Sequence, residues 1–281
     1  MVARPFLFKL RLKLGVLSMD RWLFFILLCY FSSPSFAALA TGPDFVLEQQ
    51  WQEQLEDYIV VGEPLWLQDH QARPFMTIYA ESEGTSKGTV VLLHNMGGHP
   101  NWHAVIGPLR RELLDKGWST LSLQMPVLGG ECGGREHAVL LDDSPGRLDA
   151  ALAFLEQQGE QNVVLLGHGL GAIMAGAYLV DRPLHKVRGL AALGWYMLRN
   201  SDPRMYAANY LGKLQLPILD IFGSGDVLVA NARDARQLAV NLGGNDDYKQ
   251  VEIRGADMFF EGHEKALLKK VSRWLSRLPD Q

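Results

Sequence analysis

The fold is decided by residues 163–172, Val-Val-Leu-Leu-Gly-His-Gly-Leu-Gly-Ala. The aliphatic run at residues 163–166 predicts a strand that is buried on both faces. Three alternate glycines follow it, and the small side chains of residues 170–180 then predict a helix. Glycines at these positions favour a sharp strand-to-helix turn in which the two elements pack closely.

Strands and helices alternate outward from this turn in both directions. Further strands are predicted at residues 74–80, 89–94, 119–124, 187–193, 218–222 and 248–253. Amphipathic stretches predict helices at residues 41–58, 102–116, 144–158, 203–214, 231–242 and 261–278. This alternation predicts one α/β domain over residues 38–281, with helices on both faces of a mostly parallel sheet.

The N-terminal segment has a composition of its own. Residues 22–31 form an unbroken apolar run, and small residues follow it up to Ala37. Ten apolar residues are too few to span a bilayer but match the core of a secretory signal peptide. We therefore predict a signal peptide over residues 1–37, cleaved after Ala37 or, as the second choice, after Ala40, with Met19 as the expected true start. The alternative is an N-terminal anchor that is retained.

Removing this segment changes the charge of the chain. The full sequence carries 27 basic and 31 acidic side chains, a net charge of -4, and residues 1–37 contain five of the basic and one of the acidic ones. The predicted mature domain therefore has 22 positive and 30 negative side chains, a net charge of -8. A domain this acidic, with no basic stripe, argues against nucleic-acid binding. We expect a periplasmic or secreted protein with no stable membrane anchor after cleavage.

The glycine turn and its surroundings resemble the α/β-hydrolase superfamily over nearly the whole predicted mature chain, and more narrowly a group of exported bacterial α/β-hydrolase-like proteins of unknown function. The resemblance implies a three-layer α/β-hydrolase fold in which residues 167–171 form the nucleophile elbow. In the superfamily's pattern the centre of the elbow is a serine, but this sequence has Gly169. Glycine has no side-chain atom that can attack a carbonyl group, so the usual nucleophile is absent.

The other two positions of the catalytic triad follow in the superfamily's order. The strand at residues 218–222 leads into Gly-Ser-Gly-Asp, and the resemblance places the triad acid at Asp226, although a turn aspartate also commonly bonds its own backbone. Further on, Met258 stands where the catalytic histidine is usual. A thioether cannot accept and return a proton at neutral pH, so the base is missing as well. His263 is the only nearby substitute, but a histidine at a helix start is more typical of a cap or surface position.

The loop after the strand at residues 89–94 is better preserved. Residues 94–98 read His-Asn-Met-Gly-Gly and resemble the superfamily's His-Gly-x-Gly loop, with Asn95 in place of the first glycine. The resemblance implies that the main-chain N–H groups of Met96 and Leu170 form an oxyanion-hole-like pair. Such a pair binds a carboxylate or carbonyl oxygen without catalysis, and a glycine turn with no ligand is the alternative.

Two other interpretations of these motifs have less support. The glycines from position 167 also fit a loose dinucleotide fingerprint, but the strand comes late in the chain and Asp181 ends a helix rather than a strand. Histidines at positions 94, 99 and 103 lie close together, yet no acid or cysteine stands at a familiar zinc-ligand spacing. We therefore predict neither a cofactor nor a metal.

Two hypotheses about function follow. The first is an exported, catalytically inactive α/β-hydrolase-fold protein that binds a small acyl or peptide-like ligand, or a protein partner, in or beside the former active site. The second is an unconventional serine- or cysteine-type esterase that uses residues such as Ser224, Cys132 or His263. Oxyanion binding alone would leave a rate only about 10³ to 10⁴ above the uncatalysed one, which favours the first hypothesis.

Overall fold

Eight strands form a single sheet in a computed structural model of the chain, which describes residues 42–130, 136–182, 186–196 and 202–278. The strands are β1 (Glu63–Gln68), β2 (Pro74–Ala80), β3 (Thr89–Leu93), β4 (Ser119–Leu123), β5 (Val163–His168), β6 (Val187–Leu193), β7 (Ile218–Gly223) and β8 (Tyr248–Ile253). The predicted signal peptide, its cleavage sites and Cys132 lie outside the described residues.

The strands run across the sheet in the order β1-β2-β4-β3-β5-β6-β7-β8. β2 is antiparallel to both β1 and β4, whereas every neighbouring pair from β4 to β8 is parallel. The register places Leu93 opposite Gly167, so the carboxyl ends of β3 and β5 meet at one edge of the sheet. Open parallel sheets bind their ligands outside this edge.

Helices cover the sheet in its described part. They are α1 (Phe45–Leu55), α2 (Ile106–Glu112), α3 (Ser144–Gln157), α4 (Leu170–Asp181), α5 (Ala208–Leu211), α6 (Val227–Asn231), α7 (Arg233–Gly243) and α8 (Glu264–Leu275). Single-turn or short 3-10 helices occur at Glu56–Tyr58, Leu114–Lys116, Glu136–Leu141 and Pro203–Met205. None of the helices in these ranges has both the length and the apolarity to cross a bilayer.

Two buried apolar clusters lie against the sheet. Val91 and Leu165 belong to one cluster, while their neighbours Val90 and Val164 belong to the other. Adjacent strand residues point to opposite faces, so β3 and β5 are covered on both sides, as their continuous apolar runs predict. The prediction of three layers, with helices on both faces of a mostly parallel sheet, is therefore confirmed.

Two buried ion pairs connect elements of the fold. Arg147 of α3 contacts Glu48 of α1 at 2.8 Å, and Arg236 of α7 contacts Asp220 of β7 at 2.7 Å. Burial raises the pKa of Glu48, although Arg147 acts in the opposite direction. Removing one partner would leave an uncompensated buried charge, so α1 is an integral part of the fold.

Several predicted boundaries are wrong. The sequence does not predict β1, because its Pro64 and its partly exposed edge position are weak strand signals. The helix predicted at residues 102–116 starts only at Ile106, since turns occupy the preceding residues. The one predicted at residues 231–242 is α7, which begins two residues later, and the short α6 before it is not predicted. Three other helices are shorter than predicted, with turns beside them. They are α1, predicted at residues 41–58, α5, predicted at residues 203–214, and α8, predicted at residues 261–278.

Candidate functional site

Gly169 occupies the centre of the elbow (residues 167–171), the turn between β5 and α4. Its φ of 52° and ψ of -110° lie in a region that is strained for any residue with a Cβ, at a cost of about 1–3 kcal/mol. Glycine adopts this conformation without the steric cost. Its N–H donates to the carbonyl oxygen of Leu193 at 2.8 Å, which ties the turn to β6. The backbone of a nucleophile elbow is thus present without a nucleophilic side chain.

Gly171 allows α4 to approach β3 closely. A Cβ at this position would lie within 3.0 Å of the main-chain oxygens of both Leu93 and His94. Main-chain atoms in a buried strand cannot move aside cheaply. The alternate glycines of the sequence motif therefore have a packing role that does not depend on catalysis.

The side chain of Asn95 fills the space in front of Gly169. Its Oδ1 accepts the main-chain N–H of Met96 at 2.8 Å and that of Leu170 at 2.9 Å. A Cβ on Gly169 would lie within 3.0 Å of Cγ, Oδ1 and Nδ2 of Asn95. The sequence predicts that the N–H pair of Met96 and Leu170 is open to a ligand. In the structure the N–H pair converges on one oxygen, but that oxygen belongs to the chain itself.

His94 holds the main chain of the oxyanion loop (residues 94–98) in place. Its Nδ1 donates to the carbonyl oxygen of Asn95 at 2.7 Å, and its Nε2 accepts the N–H of Met125 at 2.9 Å. Because Nε2 accepts a hydrogen bond, the ring is the neutral tautomer protonated at Nδ1. Burial lowers the pKa of His94 to about 3, so the ring remains neutral at pH 7.

His168, the residue before Gly169, connects the elbow to the segment that follows β8. Its Nε2 donates to the main-chain oxygen of Met258 at 2.8 Å, and its ring packs edge-on against Phe259. Burial lowers the pKa of His168 to about 4. Its Nδ1 has no partner in the described part of the chain. The sequence motif predicts no role for this histidine, and its place inside the elbow is the one signal that it offers.

The predicted triad positions lie at the same edge of the sheet, but their side chains do not form a triad. The half-buried Met258 contacts His168 through its main chain. The Asp226 carboxylate accepts the N–H of Val229 at 3.2 Å and caps α6, its only hydrogen bond within the described residues. The turns after β7 and β8 are adjacent, because Gly225 N–H donates to the carbonyl of Ala256 at 2.8 Å.

Within the described residues, none of the other candidate histidines, His99, His103 and His263, forms a hydrogen bond to the elbow. His263 precedes α8, and its Nδ1 donates to the main-chain oxygen of Glu261 at 3.0 Å. His99 packs against Trp102, while His103 is exposed. Over the ranges that the structure covers, no three histidine, cysteine or acidic side chains form a group suited to a metal ion.

A cavity of about 300 Å³ lies beside this edge, between the start of α2 and the start of α8. Its walls include Phe259, which packs against His168. The lining residues are Trp102, His103, Ala104, Phe259, Glu261 and Glu264. The cavity is therefore a neighbour of the elbow rather than a part of it.

Comparison with solved structures defines the class of the protein as an α/β-hydrolase-fold protein. An esterase from Pyrococcus furiosus has a TM-score of 0.60 at 16% identity, over 77% of this chain and 90% of that one. An α/β serine hydrolase homologue from Coxiella burnetii has a TM-score of 0.59 at 19% identity, over 77% of this chain and 98% of that one. An α/β serine hydrolase without lid from Xanthomonas campestris has a TM-score of 0.58 at 17% identity, over 79% of this chain and 98% of that one. Identities this low show the fold alone.

Sequence comparison places the chain within a family. Its residues 33–132 and 142–277 match the model of the family described as "Protein of unknown function (DUF3530)", and the chain belongs to this family. A search of curated proteins found no match.

Proposed function

We propose that this chain is an exported α/β-hydrolase-fold protein that has lost catalysis and keeps a binding role. The observation that carries the proposal is Gly169, where the elbow backbone persists without a side chain. Covalent catalysis on this fold requires a nucleophile there and a base that takes its proton. Met258 supplies no base, and the Nε2 proton of His168 is donated to a main-chain oxygen.

The alternative is a hydrolase with unconventional residues. The hydroxyl oxygen of Ser224 accepts the N–H of Gly255 at 2.8 Å and has no hydrogen bond to a basic side chain within the described residues. His263 donates its Nδ1 proton to Glu261. Neither contact activates a nucleophile, because activation requires a base within hydrogen-bond reach of the hydroxyl.

Covalent labelling distinguishes the two functions. Purified native protein, Ser224→Ala and Cys132→Ser would be incubated with a fluorophosphonate and with short-chain aryl esters. We expect no mass increase and no ester hydrolysis above buffer for all three proteins. Labelling of the native protein that disappears in one variant would instead establish the unconventional esterase.

The cavity beside the former active site supports the binding role. Trp102 and Phe259 offer aromatic surfaces, and Glu261 and Glu264 offer negative charge. Hydrogen bonds from the main-chain N–H groups of Glu264 itself and of Gly262 lower the pKa of Glu264, so this carboxylate stays charged at neutral pH. Aromatic faces and carboxylates attract cationic groups, so a peptide-like ligand with a basic side chain fits better than a small acyl anion or a protein partner without such a group.

Calorimetry tests this choice of ligand. N-acetyl-lysine amide would be titrated into the native protein and into Glu261→Gln/Glu264→Gln, with the uncharged norleucine compound as the matched ligand. We expect binding of the lysine compound only, weakened at least 10-fold by the double substitution. Equal binding of both compounds would contradict a cation-selective cavity.

Export is proposed from the apolar run at residues 22–31 and the small residues after it. Cell fractionation followed by N-terminal sequencing tests it. We expect a periplasmic or secreted chain that begins at Ala38 or Thr41. A full-length chain in the membrane fraction would support the retained anchor instead.

A further inference from the structure

We propose that the Asn95 carboxamide is a built-in occupant of the N–H pair and that it closes the acyl-oxygen site of the fold from within. The proposal rests on the proposed loss of catalysis and specifies which residue keeps the site closed. It predicts that the ligand class excluded by Asn95 is a carboxylate or carbonyl oxygen, and that such a ligand enters once this side chain is removed.

The hydrogen-bond geometry is that of a filled oxyanion hole. Two main-chain donors, one from the oxyanion loop and one from the first residue of α4, point to a single acceptor at 2.8 Å and 2.9 Å. Oxyanion holes hold their donors at about 2.7–3.1 Å from the oxygen that they stabilise. The acceptor must be Oδ1, because the amide nitrogen of asparagine cannot accept either proton. Asn95 therefore satisfies both donors as an acyl oxygen would.

Asn95 and Gly169 depend on each other sterically. A Cβ at position 169 would meet the Asn95 carboxamide at less than 3.0 Å, so this conformation of Asn95 requires glycine in the elbow. In the pattern that the chain resembles, the small residue stands at position 95 and the side chain at position 169. This chain has the opposite arrangement, and the side chain from position 95 takes the space that the nucleophile would need.

The occupant is held firmly. Asn95 is buried, with 4% of its surface exposed. The main-chain carbonyl oxygen of Asn95 accepts hydrogen bonds from His94 Nδ1 at 2.7 Å and from Gly98 N–H at 3.0 Å, so the backbone that carries the side chain is fixed. An incoming carboxylate would have to displace the carboxamide and replace both of its hydrogen bonds. A small acyl ligand is therefore excluded from the N–H pair in the native protein.

A binding experiment tests whether the Asn95 side chain fills the N–H pair, and it does not require the protein to be catalytically active. Butyrate would be titrated into the native protein, Asn95→Gly and Asn95→Asp, and the amide resonances of Met96 and Leu170 would be followed by NMR. The carboxylate of Asn95→Asp retains the oxygen that accepts both N–H groups, which makes it the isosteric control. We expect both resonances to shift in a saturable way only in Asn95→Gly. No shift in a folded Asn95→Gly protein, or equal shifts in the native protein, would overturn the proposal.

Reactivity gives the second test. A fluorophosphonate would be reacted with two variants, the double variant Gly169→Ser/Met258→His and the triple variant Asn95→Gly/Gly169→Ser/Met258→His. Intact mass would report the rate of labelling. The introduced hydroxyl oxygen forms the P–O bond, fluoride leaves with the P–F electron pair, and the introduced imidazole takes the hydroxyl proton. We expect labelling at least 10-fold faster in the triple variant.

The outcomes separate this inference from the proposed function. Equal labelling rates for the double and triple variants would overturn the role of Asn95. Labelling of the native protein would overturn the proposed loss of catalysis, and the butyrate titration would then still decide whether Asn95 fills the N–H pair. If neither variant is labelled, that titration alone decides the proposal.

Discussion

The elbow and the oxyanion loop lie against each other at the carboxyl edge of the sheet and depart from the hydrolase pattern in opposite directions. The elbow keeps a backbone conformation at Gly169 that would strain any residue with a Cβ, and it lacks a side chain there. The loop has a side chain at Asn95 where glycine is usual, and this side chain bonds both the loop and α4. The elbow is distinguished by its backbone conformation, and the oxyanion loop by a side chain that occupies the N–H pair.

This difference teaches that the shape of a catalytic site and its chemistry are separable. The close approach of α4 to β3 depends on Gly171 and the buried sheet, so it persists when the nucleophile is absent. By contrast, the N–H group of Leu170 is buried and that of Met96 is partly buried, so both need an acceptor whether or not a substrate exists. Asn95 supplies it.

The largest effect is expected from Gly171→Ala, because a Cβ there would collide with main-chain oxygens of Leu93 and His94. We expect the free energy of unfolding in urea to fall by about 3 kcal/mol. Gly159→Ala is the matched control, since the added Cβ has no heavy atom within 4 Å. Its positive φ of 78° should cost only about 1 kcal/mol. Equal losses would show that the elbow does not need its close contact with the loop.

Asn95→Ala should have the next largest effect, because it leaves the N–H groups of Met96 and Leu170 without their acceptor. Unsatisfied buried donors cost about 1–3 kcal/mol each, and we expect a total loss of about 2–3 kcal/mol. Chemical denaturation measures this loss in the free energy of unfolding. Asn241→Ala, an exposed asparagine on α7, is the control and should change stability by less than about 0.5 kcal/mol. A loss as small as the control's would mean that the N–H pair does not depend on Asn95.

Acidification should destabilise both segments through their histidines. The pKa of His94 is lowered to about 3 and that of His168 to about 4, both below the usual 6.5, because burial disfavours the charged ring. As the pH falls below 6.5 the unfolded chain therefore binds protons that the folded chain does not, and stability decreases. Between pH 6.5 and 5.5 we expect the two histidines to remove about 2 kcal/mol together.

Urea denaturation at several pH values measures this loss, and His168→Gln assigns its share. The variant should lose about 1 kcal/mol of the pH dependence between pH 6.5 and 5.5, since His94 and His99, whose pKa burial lowers to about 4, both remain. An unchanged pH dependence in the variant would show that the elbow histidine is not held neutral by burial.

The smallest effect is expected at Asp226. Its carboxylate accepts the N–H of Val229, so Asp226→Ala should remove a helix cap and cost about 1 kcal/mol. Asp226→Asn should be nearly neutral, because asparagine caps helices equally well. Thermal or urea unfolding of the two variants checks this order. A loss in Asp226→Asn as large as that in Asp226→Ala would point to a requirement for the charge itself.

The sequence predicts the fold better than it predicts the site. β5 and the elbow are evident because a buried strand and alternate glycines leave strong local patterns, whereas β1 is missed because an edge strand with a proline does not. The positions of Asp226 and Met258 follow from order along the chain. The direction of the Asn95 side chain does not, because it depends on a space that exists only when β3 and α4 pack together with glycine at position 169. An asparagine at a usual glycine position was the one available signal.

The most direct test of the comparison is a through-hydrogen-bond scalar coupling measured by NMR on the native protein. Donor nitrogens of Met96 and Leu170 share the Asn95 oxygen, so both amides should show a coupling to Cγ of Asn95, and both couplings should vanish in Asn95→Ala. If neither amide is coupled to Asn95 and both exchange rapidly with solvent, the N–H pair is open, and the view that this chain closes its own oxyanion hole is contradicted.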